Sequence, residues 1–467
     1  MGNPATPWRE WRSQTVGIDR EVPLLNGRWR PYVNLDNAAT TPVLIPVRDQ
    51  VNRFLDWYAS VHRGTGFKSR LATQAYEDAR QILLTFLGAD AHERLAIFTK
   101  HTTEALNVLA ARYPFKPSDV VITTVMEHHA NLLPWRERAT MVYIPVDERG
   151  GIQWGPLEDA LRAHHGRVRL VSISGASNVS GYTPPIHDIA RLVHRYDAEI
   201  VVDAAQLAPH RPIDMRSLDD PAHLDYVVFS GHKMYAPYGS GVLVGPQSRF
   251  QEGAPLLRGG GAVKFVGLDA VEWEAAPERD EAGSPNVVGA IAMATAAKTL
   301  TSWDMNRIHD RETYLGQVVV DSLRTVPGLR LLGNPEALGS QRIAVVAFVM
   351  DNVPAMMVGA ILGYEWGIGV RAGCFCAHPY LMQLLGVPPD QMAQIRDDLR
   401  RDDWRRVPSA VRVSLGLYNT EEEVRYLTQA LTAISRGEVA GTYRLNPRTS
   451  EYIVQGNQDD YSWAFEV

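Results

Sequence analysis

The sequence predicts a layered α/β protein with a largely parallel central sheet, followed by a smaller α+β part. Three observations predict it. Between about residues 35 and 245, short β-branched runs alternate with stretches of helical period, the pattern of strands joined by crossover helices. After Ser284-Pro285 the pattern changes to long helices. Polar, chemistry-bearing residues fall directly behind the strands, where open α/β sheets bind their ligands.

The elements follow in order. Residues 1 to about 33 are rich in Trp, Arg and Pro, show no period, and read as an arm that packs onto the body. Strands are expected at 95–98, 120–125, 168–173, 200–202, 226–229 and 242–244, with helical period at 104–111 and 186–196. Beyond 285, helices are expected at 286–303 and 305–325, a strand at 342–350 and a helix from Ala355. A strand at 411–414 and a helix at 421–433 complete this part. From about 440 the chain is polar and irregular, but Tyr443, Tyr452, Tyr461, Trp463 and Phe465 suit docking on the body or on a partner. There is no internal repeat and no low-complexity segment.

A chain of 467 residues exceeds one simple core, so two domains are expected. Apolar content of 45% and charged content of 21% are those of an ordinary globular protein. A net charge of −6 without a basic block argues against nucleic acid. No apolar run reaches the roughly 18 residues that span a bilayer, and Met1-Gly2-Asn3-Pro4 opens no signal pattern, so no membrane partner is expected. The 2 cysteines suit a reducing, cytoplasmic home and are too few for a cysteine-built zinc site. No metal is expected. Both cysteines lie in Arg371-Ala372-Gly373-Cys374-Phe375-Cys376-Ala377-His378. There they are either two small residues of a buried turn or thiols beside positive charge, which eases thiolate formation.

Behind the strand ending at Phe229 comes Ser230-Gly231-His232-Lys233. A lysine beyond a buried strand has its pKa lowered by desolvation, which favours the neutral amine of Schiff-base chemistry. Val201-Val202 runs into Asp203-Ala204-Ala205-Gln206, and a carboxylate there suits the protonated nitrogen of a pyridoxal ring. His101-Thr102-Thr103-Glu104 opens a helix, a natural anion site. Glu127-His128-His129-Ala130-Asn131 offers an imidazole that could stack on a ring, and Asn178 follows another strand. Each has an ordinary reading: a surface lysine, an N-cap aspartate, simple helix capping, a loop histidine. Together the inventory suits pyridoxal 5′-phosphate (PLP).

Asp203-Ala204-Ala205-Gln206 followed by Ser230-Gly231-His232-Lys233 resembles the class V, fold-type I PLP enzymes. The closer match is to the SUF-type cysteine desulfurase and selenocysteine lyase group. Leu35-Asp36-Asn37-Ala38-Ala39, His62-Arg63-Gly64, Met126 to Asn131, Pro134-Trp135 and Gly259-Gly260-Gly261 support it. So do Glu281 to Asn286, Arg371-Ala372-Gly373, and Arg412 through Tyr418-Asn419-Thr420. The resemblance spans about 33 to 435. It implies a large PLP-binding domain at 34–285, with a mostly parallel seven-stranded sheet, and a small C-terminal domain at 286–439. An N-terminal arm (1–33) would join the small domain, and a C-terminal extension (440–467) would follow.

By this resemblance Lys233 would carry the cofactor as a Schiff base and Asp203 would pair with the pyridine nitrogen. Gln206 would bond the ring hydroxyl oxygen with Asn178 near it, and His128 would stack on the ring. Thr102, Thr103, Ser230 and His232 would hold the phosphate. Ser284, where relatives often have Thr, would reach the phosphate of a partner subunit, which implies a homodimer. Arg412 would clamp the substrate carboxylate, with Arg371 beside it on a mobile loop and Asn178 and Ala39 also at the substrate. Cys376 would take the sulfur of L-cysteine, or of a related sulfur or selenium amino acid, and pass it to an acceptor protein. Relatives often carry polar or His residues where Cys374-Phe375 stands, and Cys-Phe-Cys also resembles, locally, the desulfurase-like domain of molybdenum-cofactor sulfurases. The same scaffold hosts C–S β-lyases, epimerases and transaminases, so the fold does not choose among them. A non-catalytic scaffold is the reading from another class.

Overall fold

The structure is a computed structural model and describes residues 7–456 and 461–465. Its centre is a sheet of β1 (Arg94–Thr99), β2 (Val120–Thr124), β3 (Thr140–Ile144), β4 (Val168–Ser174), β5 (Glu199–Asp203), β6 (Tyr226–Ser230) and β7 (Gly241–Pro246). The strand order is β1-β7-β6-β5-β4-β2-β3. The pairs from β3 to β6 are parallel, and β7 runs antiparallel to both β1 and β6. Every residue of β2, β6 and β7 is buried. Sheets covered on both faces read as continuous Val/Ile/Leu runs, and for that reason these strands were visible in the sequence. The edge strand β3 was not expected. Only Ile144 of its five residues is buried, so its sequence carries little apolar signal.

Register gathers the strand ends at one edge of the sheet. Ser174 pairs with Asp203, and Gly241 pairs with both Ser230 and Thr99. Glycine is required at 241, because a Cβ there would lie 2.7 Å from the His101 backbone. That close approach seats helix α3 (Thr102–Arg112) with its N-terminus over the end of β6. On one side, α1 (Ile45–Leu55), α2 (Phe67–Phe86) and α5 (Val287–Ser302) enclose Phe54, Ala72, Tyr76, Ala79, Ala290, Ile291 and Ala294. The helix α4 (Ile186–His194) connects β4 to β5.

The second sheet is β8 (Leu329–Leu331), β9 (Val345–Met350), β10 (Arg371–Gly373) and β11 (Ala410–Ser414). Its order is β8-β9-β11-β10, antiparallel throughout. Helices α6 (Met305–Arg324), α7 (Ala355–Trp366) and α9 (Glu421–Ser435) pack around it on an apolar cluster that includes Val346, Phe348, Ile361 and Leu427. A short helix α8 (His378–Leu385) follows the cysteine segment.

The arm is tied down. Trp11 is buried and stacks on Trp303 at 6.1 Å, and Arg12 bonds the Glu423 carboxylate at 2.9 Å. Val33–Asn34 pairs with Ile368–Gly369. Near the other end, Tyr443–Leu445 and Tyr452–Val454 form a hairpin, with the Tyr443 hydroxyl donating to Glu365 at 2.8 Å. Among the described residues, no helix is long and apolar enough to cross a membrane.

Candidate active site

The gathered strand ends line a cavity of about 650 Å³. At its floor, the strand ends place Asp203 behind β5 and Lys233 behind β6. Burial pushes the Lys233 amine below its ordinary pKa; Asp203 opposes this shift, and Arg412 adds to it. Burial pushes the Asp203 carboxyl up, against the Ala205 N–H, which donates at 3.0 Å, and against Lys233. Among the described residues, nothing donates to the second Asp203 oxygen, and Asp203 lines the cavity, so that oxygen is open to a ligand. Gln206 is buried and donates to the Ala38 carbonyl at 2.7 Å.

One corner of the cavity is built for an anion. The Ser230 hydroxyl accepts the Thr102 N–H at 2.8 Å and lies 2.6 Å from the Thr102 hydroxyl, with both residues buried at the start of α3. Thr103 is exposed on the next turn position and also lines the cavity. Burial, with Lys233 and His101 nearby, pushes His232 down to about 4, so at neutral pH its ring is uncharged.

His128 covers another wall. Burial first, then Lys233, His129 and Arg412, push its pKa down to about 4. Its Nδ1 accepts the Ala130 N–H at 3.1 Å, so the neutral ring carries its proton on Nε2. Beneath it lies a residue given no role by the sequence. The fully buried Glu127 carboxylate accepts from Thr124 Oγ1 (2.7 Å), Asn131 Nδ2 (2.7 Å) and Ser174 Oγ (2.6 Å). This network holds the turn that presents His128.

The second sheet closes the cavity from the opposite side. Arg371 and Arg412 are cross-strand neighbours on β10 and β11. The expectation that Arg371 sits on a mobile loop is therefore corrected: it belongs to a hydrogen-bonded edge strand. Asp36 links the two arginines, bonding Arg412 at 3.0 Å and Arg371 at 2.8 Å. Arg412 also donates to the Asn178 carbonyl at 3.0 Å, while its buried Nε has no partner among the described residues. A buried guanidinium with one unused donor face suits a carboxylate ligand. Asp36 was visible within Leu35 to Ala39, but no pattern in one sequence marks it as the link between two distant arginines.

Directly behind β10 the chain turns sharply. Gly373 has φ +130°, and Phe375 and Cys376 have φ +56° and +52°, a left-handed conformation that costs each about 1 kcal/mol or more. Anchors offset this cost. Asn178 Nδ2 donates to the Phe375 carbonyl and the His129 N–H to the Cys376 carbonyl, both at 2.7 Å. Phe375 is buried beneath Arg412, 5.1 Å from ring centre to guanidinium. His378 stacks on His129 at 4.9 Å and donates its N–H to His129 Nε2 at 3.2 Å. The turn leaves Cys376 exposed in the cavity and Cys374 half-buried, with the Cys374 thiol pushed up by burial.

The structure thus brings Lys233, Cys376, His128, Thr102, Thr103, Asn178, Asp203, Gln206, Ser230, His232, Arg371, Arg412 and Ala39 to one cavity. It does not bring Ser284 there. Ser284 is exposed and lines a separate cavity with Tyr58, His62, Arg63 and Gly261. Its loop is fixed by Glu281, which accepts the Phe98 N–H at 2.6 Å and pairs with the buried Arg80.

A half-buried lysine within the field of a buried carboxylate, beside a helix N-terminus and beyond the ends of a mostly parallel sheet, defines a cofactor-binding α/β enzyme of the PLP class. The chain belongs to the aminotransferase class-V family, whose model matches residues 33–427, and the family's cofactor is PLP. It is 34% identical over 423 residues to a probable cysteine desulfurase of Halalkalibacterium halodurans, covering 89% of this chain and 94% of that one. It is also 34% identical over 440 residues to a cysteine desulfurase of Salmonella agona, covering 92% and 98%. Among solved structures, a cysteine desulfurase of Thermococcus onnurineus in its apo form superposes with a TM-score of 0.76 at 31% identity, covering 87% of this chain and 95% of that one. An Escherichia coli cysteine desulfurase in an S-sulfonic acid form gives 0.75 at 29%, covering 94% and 100%.

Proposed function

We propose that this chain is a PLP-dependent cysteine desulfurase that converts L-cysteine to L-alanine and leaves the sulfur as a persulfide on Cys376. The observation that carries this reading is the exposed Cys376 thiol, held by a strained and anchored turn in the same cavity as Lys233 and Arg412. The relatives' names support the substrate.

The residues present fit the cofactor. Asp203 would offer its open carboxylate oxygen to the ring nitrogen, Gln206 and Asn178 would meet the ring hydroxyl, and neutral His128 would stack on the ring. Thr102, Thr103, Ser230 and His232 supply hydroxyl, ring N–H and helix N-terminal donors for the phosphate. Bound PLP supplies an electron sink for the substrate's α-carbon. Arg412, with Arg371, Asn178 and Ala39 around it, binds and orients the substrate carboxylate. Lys233, whose burial favours the neutral amine, removes the α-proton and returns one to the carbon skeleton at Nζ. Cys376 Sγ forms the new S–S bond as the substrate's C–S bond breaks, so cysteine and thiol become alanine and persulfide with atoms balanced. Positioning of thiol and Cα–H bond is the protein's main contribution.

Four further parts of the reading are proposals of the same kind. The chain works as a homodimer in which Ser284, which does not line its own Lys233 cavity, serves the partner's phosphate. An acceptor protein takes the persulfide sulfur, and the compartment is the reducing cytoplasm. The chain divides into an arm (1–33), a PLP domain (34–285), a small domain (286–439) and an extension (440–467), supported by the separate apolar cluster around the second sheet.

The test is to incubate the PLP-loaded protein with L-cysteine and quantify alanine, pyruvate and sulfide. Alanine should equal transferable sulfur, and Cys376→Ala should remove alanine formation while keeping the cofactor's absorbance. Pyruvate as the main product, or undiminished alanine from Cys376→Ala, refutes the proposal.

A further inference from the structure

At the sheet edge opposite the Lys233 cavity, α4 ends on His194, and the turn leading into β6 carries His223 and Asp225. Three consecutive carbonyls of this turn each meet an imidazole Nδ1: Asp220 meets His223 at 2.6 Å, Pro221 meets His194 at 2.8 Å, and Ala222 meets His187 at 2.8 Å. A carbonyl only accepts, so each Nδ1 carries its proton. That fixes the tautomer of neutral His194 and His223 and leaves each Nε2 with a lone pair. Both of these Nε2 atoms converge on one carboxylate, His194 at 2.9 Å from Asp225 Oδ2 and His223 at 3.1 Å from Oδ1. The two rings stack at 4.2 Å. If both Nε2 atoms were also protonated, two imidazolium rings would lie face to face. If only one were, the other ring's lone pair would still face an anion, and if neither were, two would. A cation between them removes the conflict.

We propose that His194, His223 and Asp225 bind one divalent transition-metal ion of the zinc type. Among the described residues, this group of three brings its ligand atoms within 4.8 Å of one another. Two imidazole nitrogens and a carboxylate suit Zn²⁺ or Co²⁺ better than Ca²⁺ or Mg²⁺. Nδ1 bonded to a backbone carbonyl is the outer-shell arrangement that orients metal-binding imidazoles. The Ile200 N–H holds Asp225 Oδ2 at 2.9 Å in the same way. Side-chain exposures of 16%, 13% and 8% leave room for water at a fourth position. The ion would clamp the end of α4 to the start of β6, the strand whose other end carries Lys233. It is a structural site, independent of the reaction proposed above. No sequence motif announces it, because His194 lies 31 residues from Asp225 while His223 lies 2 away.

The experiment uses the tag-free, PLP-loaded full chain, stripped with chelator and titrated with Co²⁺ alone and then Zn²⁺. One Co²⁺ per chain should bind with visible ligand-field bands and no thiolate charge-transfer band, and Zn²⁺ should displace it and raise Tm. His194→Gln and His223→Gln should each weaken binding roughly 10-fold or more, with far-UV circular dichroism and PLP absorbance checking the fold, while exposed His92→Gln should bind as the parent does. No saturable Co²⁺ binding by the unaltered protein overturns the proposal without any variant. Binding that survives both histidine changes in folded protein, or that shows a thiolate band, overturns it as well.

Discussion

Glu127→Gln isolates the energetic cost of a buried carboxyl beneath the site. Burial raises the Glu127 pKa to about 7, against three side-chain donors that lower it, whereas an unfolded chain gives about 4.3. The folded state therefore holds this proton more tightly than the unfolded state. The stabilisation is complete below about pH 4.3 and is lost as pH rises through about 7. The gap corresponds to about 3 to 4 kcal/mol between pH 4 and pH 8. Glutamine mimics the protonated acid at every pH. Its carbonyl can replace Oε2 and accept from Asn131 and Ser174, while its amide donates to the Thr124 hydroxyl at the Oε1 position. Urea unfolding of both proteins between pH 5 and 8 should show the glutamine variant gaining on the parent by about 2 to 4 kcal/mol. A difference that stays flat across this range refutes the reasoning: the three donors would then keep the native carboxylate ionised.

Two further outcomes follow from the cavity's other wall. Arg412→Lys removes the planar fork while keeping a charge; losing one charge-assisted hydrogen bond of about 1.5 to 3 kcal/mol should raise KM for L-cysteine by roughly 10-fold or more. Steady-state kinetics with unchanged PLP absorbance checks this, and an unaltered KM assigns the carboxylate elsewhere. His378→Ala removes the ring stacked on His129 and loosens the turn that presents Cys376. As a positioning change it should lower kcat about 10-fold with KM and PLP binding nearly constant, and a pure KM effect would place His378 at the substrate instead.

The strands of the central sheet were legible because both faces are covered, so burial wrote itself as unbroken apolar runs. The edge strand β3 escaped because one side chain of five is buried. The lysine and aspartate were legible for a related reason: a charged residue at the end of a buried strand stands out in one dimension. What stayed hidden depends on pairings across long separations. Asp36 bridges Arg371 and Arg412 only after the second sheet folds against the first. The stacking of His129 on His378 and the convergence of His194 on Asp225 are likewise products of tertiary packing. Ser284 lines a cavity separate from that of Lys233, and neither its loop sequence nor one subunit assigns it a ligand.

The two cysteines are one residue apart, yet the backbone makes them unlike. The left-handed pair Phe375 and Cys376 reverses the chain, turning the 376 side chain into the open cavity and the 375 ring under Arg412. Cys374, on the strand side of this reversal, is half-buried, and burial keeps its thiol protonated at higher pH than an ordinary cysteine. A protonated, partly covered thiol is a poor nucleophile toward sulfur. A sulfur acceptor must also hand its cargo outward, and both thiols line the cavity but Cys376 is the more exposed. In the proposed reaction, the strain at 375 and 376 would have a chemical use. It would set the proposed sulfur-accepting thiol apart from the half-buried Cys374 within three residues, with the anchors from Asn178 and His129 holding the turn.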